Sequence, residues 1–145
     1  VLPLAAADFR GLEPRLRVDA LDLRRKAEFH VTLLGRALVA HLHEPAPGGT
    51  IAARLPPLFA ALDWRWRRTG TRWLLMESQP EGDAHSVIEL LEMPALNAFR
   101  REVGALLREP VPPAPAHVTL SLRGPTDGIG LHSQADFERL RLHPL

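Results

Sequence analysis

The sequence contains no cysteine among its 145 residues. This absence excludes disulfide bonds, thiolate catalysis and cysteine-ligated zinc from the chemistry of the chain. An excess of charge of one sign is lacking too, because 18 Lys and Arg oppose 17 Asp and Glu, for a formal net charge of +1. No global charge therefore draws the chain to nucleic acid or to a membrane surface, and any attraction for a polyanion must be local.

Long hydrophobic runs are also missing. No apolar stretch is long enough to cross a bilayer, and the start carries no signal-peptide pattern, so we expect a cytoplasmic protein with no membrane partner. The chain begins at Val1 and not at Met, which leaves open what precedes it. Composition is ordinary for a globular protein, with 46% hydrophobic and 24% charged residues. A chain of this length buries enough surface for one core only, which predicts a single domain over residues 1–145.

The tetrapeptide His-Val-Thr-Leu occurs twice, at residues 30–33 and again at residues 117–120. Each copy is apolar and β-branched enough to form a strand, and alternate residues of a strand share one face. The histidine and the threonine of each copy therefore point the same way. Two such strands brought together would present two imidazoles and two hydroxyls to one cleft, from His30, Thr32, His117 and Thr119.

That set of groups suits acid-base chemistry on a phosphate ester. Opening a 2′,3′-cyclic phosphate requires a water to lose a proton as it attacks phosphorus and a ribose oxygen to gain one as it leaves. A histidine, with an ordinary pKa near 6.5, can perform either step at neutral pH. A threonine hydroxyl can donate to the non-bridging oxygens, where charge develops. Such a site requires neither a metal ion nor an organic cofactor.

The two His-x-Thr motifs resemble those of the 2H phosphoesterase superfamily, which includes the bacterial RNA 2′,3′-cyclic phosphodiesterases once called 2′-5′ RNA ligases. The resemblance covers most of the chain in layout and rests on the two motifs. It implies that His30 and His117 are the catalytic acid and base, and we assign His30 as the acid. It implies in addition that Thr32 and Thr119 are catalytic, as donors to the phosphate.

The surroundings of the second motif depart from the family pattern. Family members commonly have a proline directly before the histidine, whereas here Ala116 separates Pro115 from His117. The arginine that often follows the second motif would be Arg123, slightly late. Arg123 and Arg36 follow the two motif strands, and both are predicted to bind the substrate phosphate. These departures concern the subfamily and the substrate more than the superfamily.

The resemblance implies a metal-independent phosphodiesterase acting on a 2′,3′-cyclic phosphate, with an RNA end or a small cyclic nucleotide as substrate and no DNA partner. The alternative is a non-catalytic nucleotide-binding module on the same scaffold, since both classes keep the two motifs. The sequence leaves open whether the substrate is RNA, a mononucleotide or an ADP-ribose derivative. It also leaves open which ribose oxygen keeps the phosphate, whether ligation occurs in reverse, and the oligomeric state.

Hydrophobic periodicity predicts the order of the elements. Strands are predicted over residues 15–24, with a bulge near residue 20, and over 29–35, 64–67, 72–77, 85–91, 117–123 and 137–142. Helices are predicted after Gly35, over residues 56–62, and from Pro94, with Arg100 on the outer arc of this last helix. Thr69-Gly70 is expected to turn a hairpin. The order predicts an α+β fold of duplicated, two-lobed antiparallel sheets with a helix packed on each lobe.

Other polar and aromatic residues carry weaker signals. His41 and His43 could ligate a metal only if they lay on a strand, and we predict no metal site there. A tryptophan stripe at period two is more typical of a core than of a nucleobase platform; its members are Trp64, Trp66 and Trp73. A basic cluster fits RNA phosphates and a solvated hairpin face equally well, and consists of Arg65, Arg67, Arg68 and Arg72. The remaining histidines are expected to be solvated: His85, His132 and His143.

Overall fold

A computed structural model describes all residues, 1–145, and contains eight strands and four α-helices. The strands are β1 (Leu2–Leu4), β2 (Arg15–Val18), β3 (Leu21–Arg25), β4 (Phe29–Val31), β5 (Arg67–Gln79), β6 (Gly82–Glu92), β7 (His117–Arg123) and β8 (Arg141–Pro144). The helices are α1 (Arg36–Leu42), α2 (Leu55–Ala60), α3 (Pro94–Leu107) and α4 (Gln134–Leu140). Every strand pair is antiparallel, so the predicted α+β class is confirmed. None of the helices is both long and apolar enough to cross a membrane.

The strands form two sheets of unequal size. Six strands pair in the order β2-β3-β7-β6-β5-β8, and the other two, β1 and β4, form a separate two-stranded sheet. The first His-x-Thr motif begins in β4 and the second begins in β7, so each sheet contributes one motif. Strands β4 and β7 lie beside each other where the two sheets meet. This junction of the two sheets brings the motifs together.

The largest core cluster lies behind the motif strands. The apolar residues that alternate with the motif histidines and threonines are buried in it, namely Val31, Leu33, Val118 and Leu120. Helix α3 packs onto the same cluster through Leu96, Phe99 and Val103, which recur at helical spacing after the proline at its start. Full burial of each such side chain contributes roughly 1.5–3 kcal/mol. The alternation therefore fixes which face of each motif strand is turned away from the core.

The strand predicted over residues 15–24 is instead a hairpin of β2 and β3. Its pairs run from Arg15 with Arg24 to Val18 with Leu21. Asp19 adopts a left-handed backbone conformation at the turn, with φ of 52°, which an aspartate tolerates better than most residues. The slip in alternation near residue 20 therefore marks a turn and not a bulge.

The hairpin predicted around Thr69-Gly70 is also wrong. Strand β5 continues through these residues, and its register against β6 shifts between Arg68 and Arg72. The Thr69 hydroxyl donates to the carbonyl of Leu90 at 2.6 Å, and Gly70 has φ of 75°, so the pair forms a bulge inside a long strand. A Thr-Gly pair is typical of a hairpin turn, but here it forms a bulge within one strand.

Two further elements differ from their predicted bounds. The first motif strand ends at Val31, so Thr32 lies just beyond it, because β1 supplies only three paired residues. The strand predicted over residues 137–142 is replaced by α4 and then β8. The Ser133 hydroxyl caps α4 by accepting the main-chain N–H of Asp136 at 3.0 Å, a side-chain cap that favours the helix.

Candidate active site

One open cleft at the junction of the two sheets collects the four predicted catalytic residues. It has a volume of about 1060 Å³ and is lined by His30, Thr32, His117 and Thr119 together. The alternation along each motif explains this placement, since the residues between them fill the core. The structure thus brings together the two copies of the motif on a single surface.

His117 is held with a defined proton position. It is 7% exposed, and its Nδ1 donates to the carbonyl oxygen of Pro115 at 2.9 Å. In the neutral ring Nε2 is consequently unprotonated and can accept a proton. Burial lowers the pKa of His117; the Pro115 carbonyl opposes that effect, and the charges of His132 and His30 add to it. At neutral pH this imidazole is therefore uncharged, and its Nε2 can accept a proton.

His30 lies across the junction in a less enclosed position. Partial burial lowers its pKa, the positive charge of Lys26 lowers it further, and Glu28 acts in the opposite direction. The ring of His30 forms no hydrogen bond within the protein, whereas the ring of His117 is bonded to the Pro115 carbonyl. His30 is therefore free to form a hydrogen bond with a bound ligand.

The two motif threonines are half-buried at the cleft wall. The loop after β7 passes over Thr119, since a Cβ added to Gly128 would lie 3.6 Å from its hydroxyl oxygen. Lys26 fixes this loop by donating from Nζ to the carbonyl of Asp127 at 2.9 Å. Both threonines line the same cleft as the two imidazoles. A hydroxyl in that position can donate to an anion.

Basic side chains dominate the rim of the cleft. Two acidic side chains, Glu28 and Asp127, line it, against four basic ones: Arg24, Arg25, Lys26 and Arg36. Arg36 is exposed and forms no ion pair. Local positive charge is therefore present although the whole chain is nearly neutral, and it favours an anionic ligand.

The structure brings Arg36 to the cleft but not Arg123. In β7 the pairing with β6 moves from Thr119 opposite Ile88 to Ser121 opposite Val87, which leaves one extra residue. Such a bulge inverts the alternation beyond it. Leu122 consequently lines the cleft, whereas Arg123 lies outside it and is exposed.

Arg100 supports the site from inside the protein, and the prediction that it lies on the outer arc of α3 is wrong. It is 4% exposed. Its guanidinium donates to three carbonyls, those of Leu33 at 2.9 Å, Pro112 at 2.9 Å and His132 at 2.8 Å. Burial lowers its pKa. These bonds join the segment that follows the first His-x-Thr motif, the segment that precedes the second His-x-Thr motif, and the loop before α4. Its position four residues after Leu96 is the sequence signal for burial.

His132 is the second residue that sequence reasoning missed. It is exposed, as predicted for a solvated histidine, but it lines the cleft together with His30 and His117. No motif marks it, because it follows the loop after β7. Three imidazoles therefore border one space.

The tryptophans and the basic cluster lie outside the cleft. The tryptophans are partly buried and pack against the core clusters. Trp64 packs on Phe59 and Phe99, Trp66 stacks on Phe9, and Trp73 contacts Phe137. The cluster arginines are paired with carboxylates, Arg65 with Asp63, Arg67 with Glu92, and both Arg68 and Arg72 with the buried Glu89. His41 lies on α1 and His43 ends it, and no group of three or more potential ligands is arranged around a metal position.

No family model matches the chain, and neither a curated protein nor a solved structure shows significant similarity to it.

The chemistry of the cleft follows from its own residues. A neutral imidazole with a bare Nε2 can accept a proton, and a second imidazole can exchange one on the other side of a ligand. Free hydroxyls and a basic rim can hold a phosphate between them.

Proposed function

We propose that the protein is a phosphodiesterase of the 2H type that hydrolyses a 2′,3′-cyclic phosphate at an RNA end or on a small nucleotide. The observation that carries the proposal is the meeting of both His-x-Thr motifs, one from each sheet, in a single cleft. The finer fold assignment belongs to the same proposal: two related lobes, each with one motif strand, with α1 following the first motif and α3 preceding the second.

In the proposed reaction, His117 is the base. Its Nε2 takes a proton from a water molecule as the water oxygen attacks phosphorus, and the bond from phosphorus to one ribose oxygen breaks. The Pro115 carbonyl holds the ring in place and stabilises the imidazolium that forms. His30 gives its proton to the leaving ribose oxygen, and the product is a phosphomonoester. An anionic phosphate beside His30 favours its charged form, which offsets the lowering of its pKa in the free protein.

The remaining cleft residues hold the phosphate. Thr32 and Thr119 donate from their hydroxyls to the non-bridging oxygens, where negative charge increases as the reaction proceeds. Arg36 adds a positive charge from the start of α1. Arg123 has no role in this proposal, because the bulge in β7 turns it away. None of these steps requires a metal ion.

A nucleotide-binding module is the second candidate, and one observation favours it. The pKa values of both His30 and His117 are lowered, so the ligand-free cleft lacks an imidazolium from this pair at neutral pH. Binding alone would need only the hydroxyls and the basic rim. The two candidates differ in whether a bound cyclic phosphate is opened.

Turnover separates the two candidates. Purified protein with EDTA would be incubated with a 2′,3′-cyclic mononucleotide, an RNA oligonucleotide ending in a 2′,3′-cyclic phosphate, and an ADP-ribose cyclic phosphate. Products would be followed by ³¹P NMR, which also distinguishes 2′ from 3′ phosphate. We expect at least one of the three to be converted to a monoester. Saturable nucleotide binding without conversion of any of them would favour the binding module.

A further inference from the structure

The imidazole of His132 occupies a space that two glycines keep open. A Cβ added to Gly35 would lie 2.6 Å from its Cε1, and one added to Gly130 would lie 2.7 Å from its Nε2. Gly35 has φ of −72°, and neither glycine is in the left-handed region, so backbone conformation does not demand glycine at these positions. Their small size is what lets the ring lie where it does.

The main chain of His132 is fixed from both sides. Its N–H donates to the Asp136 carboxylate at 3.0 Å, and its carbonyl accepts from the buried guanidinium of Arg100 at 2.8 Å. Asp136 in turn donates its N–H to the Ser133 cap of α4. Because the same Arg100 also bonds the carbonyl of Leu33, the position of His132 is coupled to the segment that follows the first motif.

The ring itself has no such partner. The Asp136 carboxylate is engaged by the main-chain N–H of His132 and by Arg139, and no carboxylate lies within ion-pair distance of the imidazole. The ring lines the cleft near His117, whose pKa is lowered mainly by burial, and a positive charge on His132 adds to that lowering. A fixed main chain thus holds an imidazole with free nitrogens beside the proposed base.

We propose that His132 is a third ligand-binding histidine, which donates a ring N–H to a phosphate oxygen of the molecule bound between His30 and His117. The identification of that molecule as a phosphate ester rests on the proposed function. An imidazole offers one donor when neutral and two when charged, and an anion in a cleft with a basic rim is the ligand that uses them. His132 is a substrate-binding residue here, and the proton transfers remain with the other two histidines.

The first test compares His132→Ala and His132→Gln with the wild type, with His143→Ala as a control for loss of a partly exposed histidine outside the cleft. A hydrogen bond to a charged group corresponds to roughly a tenfold or larger change in affinity. We expect His132→Ala to raise KM for the cyclic nucleotide and Kd for inorganic phosphate about tenfold, with a smaller change in kcat. His132→Gln keeps a donor and should restore part of the affinity, and His143→Ala should match the wild type.

A second test moves the ring without removing it. Gly35→Ala places a methyl group against the His132 imidazole, which can swing into the open cleft, so stability should change little. We expect the substitution to weaken phosphate binding in the wild type but to have little further effect in His132→Ala, where no ring is left to displace. This non-additivity is the signature of a direct contact. Equal effects of Gly35→Ala in both backgrounds would contradict the assigned position of the ring.

Assays of phosphate binding and of turnover distinguish a failure of this inference from a failure of the proposed function. Unchanged KM and Kd in His132→Ala, in a protein that hydrolyses cyclic phosphates, would overturn this inference and leave the proposed function intact. Phosphate binding that depends on His132 in a protein without turnover would support the inference and contradict the phosphodiesterase. A wild type that binds neither inorganic phosphate nor any nucleotide would overturn both.

Discussion

The Nδ1 atom of His117 lies 2.9 Å from the carbonyl oxygen of Pro115. A carbonyl can only accept, so the neutral ring carries its proton on Nδ1 and leaves Nε2 bare. Ala116, which separates the two residues, has its own carbonyl engaged by the N–H of Leu91. Ala116 therefore anchors the motif to β6, while the preceding proline orients the His117 ring.

The lowered histidine pKa values predict the pH dependence of the reaction. Burial is the main cause for both His117 and His30, whose ordinary value is 6.5. A base works when neutral, so kcat/KM should fall only as the pH drops below the lowered pKa of the base. The acid must be charged, so the rate should also fall as the pH rises through the second pKa of the pair. We expect a bell-shaped kcat/KM profile with its maximum on the acid side of pH 6.5.

The same reasoning predicts that the kcat profile is displaced to higher pH, because a bound phosphate anion stabilises the charged imidazole. Steady-state rates between about pH 4.5 and 9 would measure both profiles. A rate that rises continuously into the alkaline range would contradict acid-base catalysis by this pair.

Substitution of either motif histidine should remove most of the turnover. We expect His30→Ala and His117→Gln each to lower kcat by about 10²–10⁴-fold. Glutamine is preferred at position 117, because that side chain is 7% exposed and alanine would leave a hole. The double variant should be little slower than either single one, since the two act as a unit. Circular dichroism would establish folding, and full activity in folded His117→Gln would exclude it as the base.

The threonines should affect the rate less than the histidines. Thr32→Val and Thr119→Val keep the branched shape but delete the donor, so each should lower kcat by about 10-fold or somewhat more through the lost bond to a non-bridging oxygen. Thr71→Val is a matched control, because Thr71 is an exposed threonine on a strand outside the cleft. Motif variants no slower than this control would show that the hydroxyls do not contact the phosphate.

The two candidate arginines should behave differently. Arg36 lines the cleft without an ion pair, whereas Arg123 lies outside it. We expect Arg36→Ala to raise KM roughly tenfold, with an effect that shrinks as salt screens the charge. Arg123→Ala should leave kcat and KM unchanged. The reverse pattern would mean that the bulge in β7 does not persist when substrate binds.

The cleft could be predicted because it depends on local alternation. In each motif the histidine and threonine share one strand face while valine and leucine share the other, and burial of Val31 and Val118 fixes which face meets the core. Helix α3 could be predicted from the sequence as well, since its apolar residues recur at helical spacing directly after Pro94. These features need only a few residues of context.

The errors arose where distant partners decide the local structure. The bulge that turns Arg123 away from the cleft is defined by the register of β7 against β6, and no local sequence pattern encodes that register. Thr69-Gly70 has the composition of a turn, but its threonine bonds Leu90 across the sheet. His132 lies at the cleft next to the Ser133 cap of α4, and its carbonyl accepts a hydrogen bond from Arg100, 32 residues earlier in the chain. Tertiary contacts, and not propensity, place these residues.

The most direct measurement is a ³¹P NMR time course of a 2′,3′-cyclic nucleotide in EDTA, with the wild type and the His30→Ala/His117→Gln double variant prepared in parallel. Two-histidine catalysis predicts conversion to a single phosphomonoester by the wild type, at the same rate with and without the chelator, and no conversion above background by the folded double variant. Equal conversion by both proteins would contradict the account, as would wild-type activity that EDTA abolishes and a divalent ion restores.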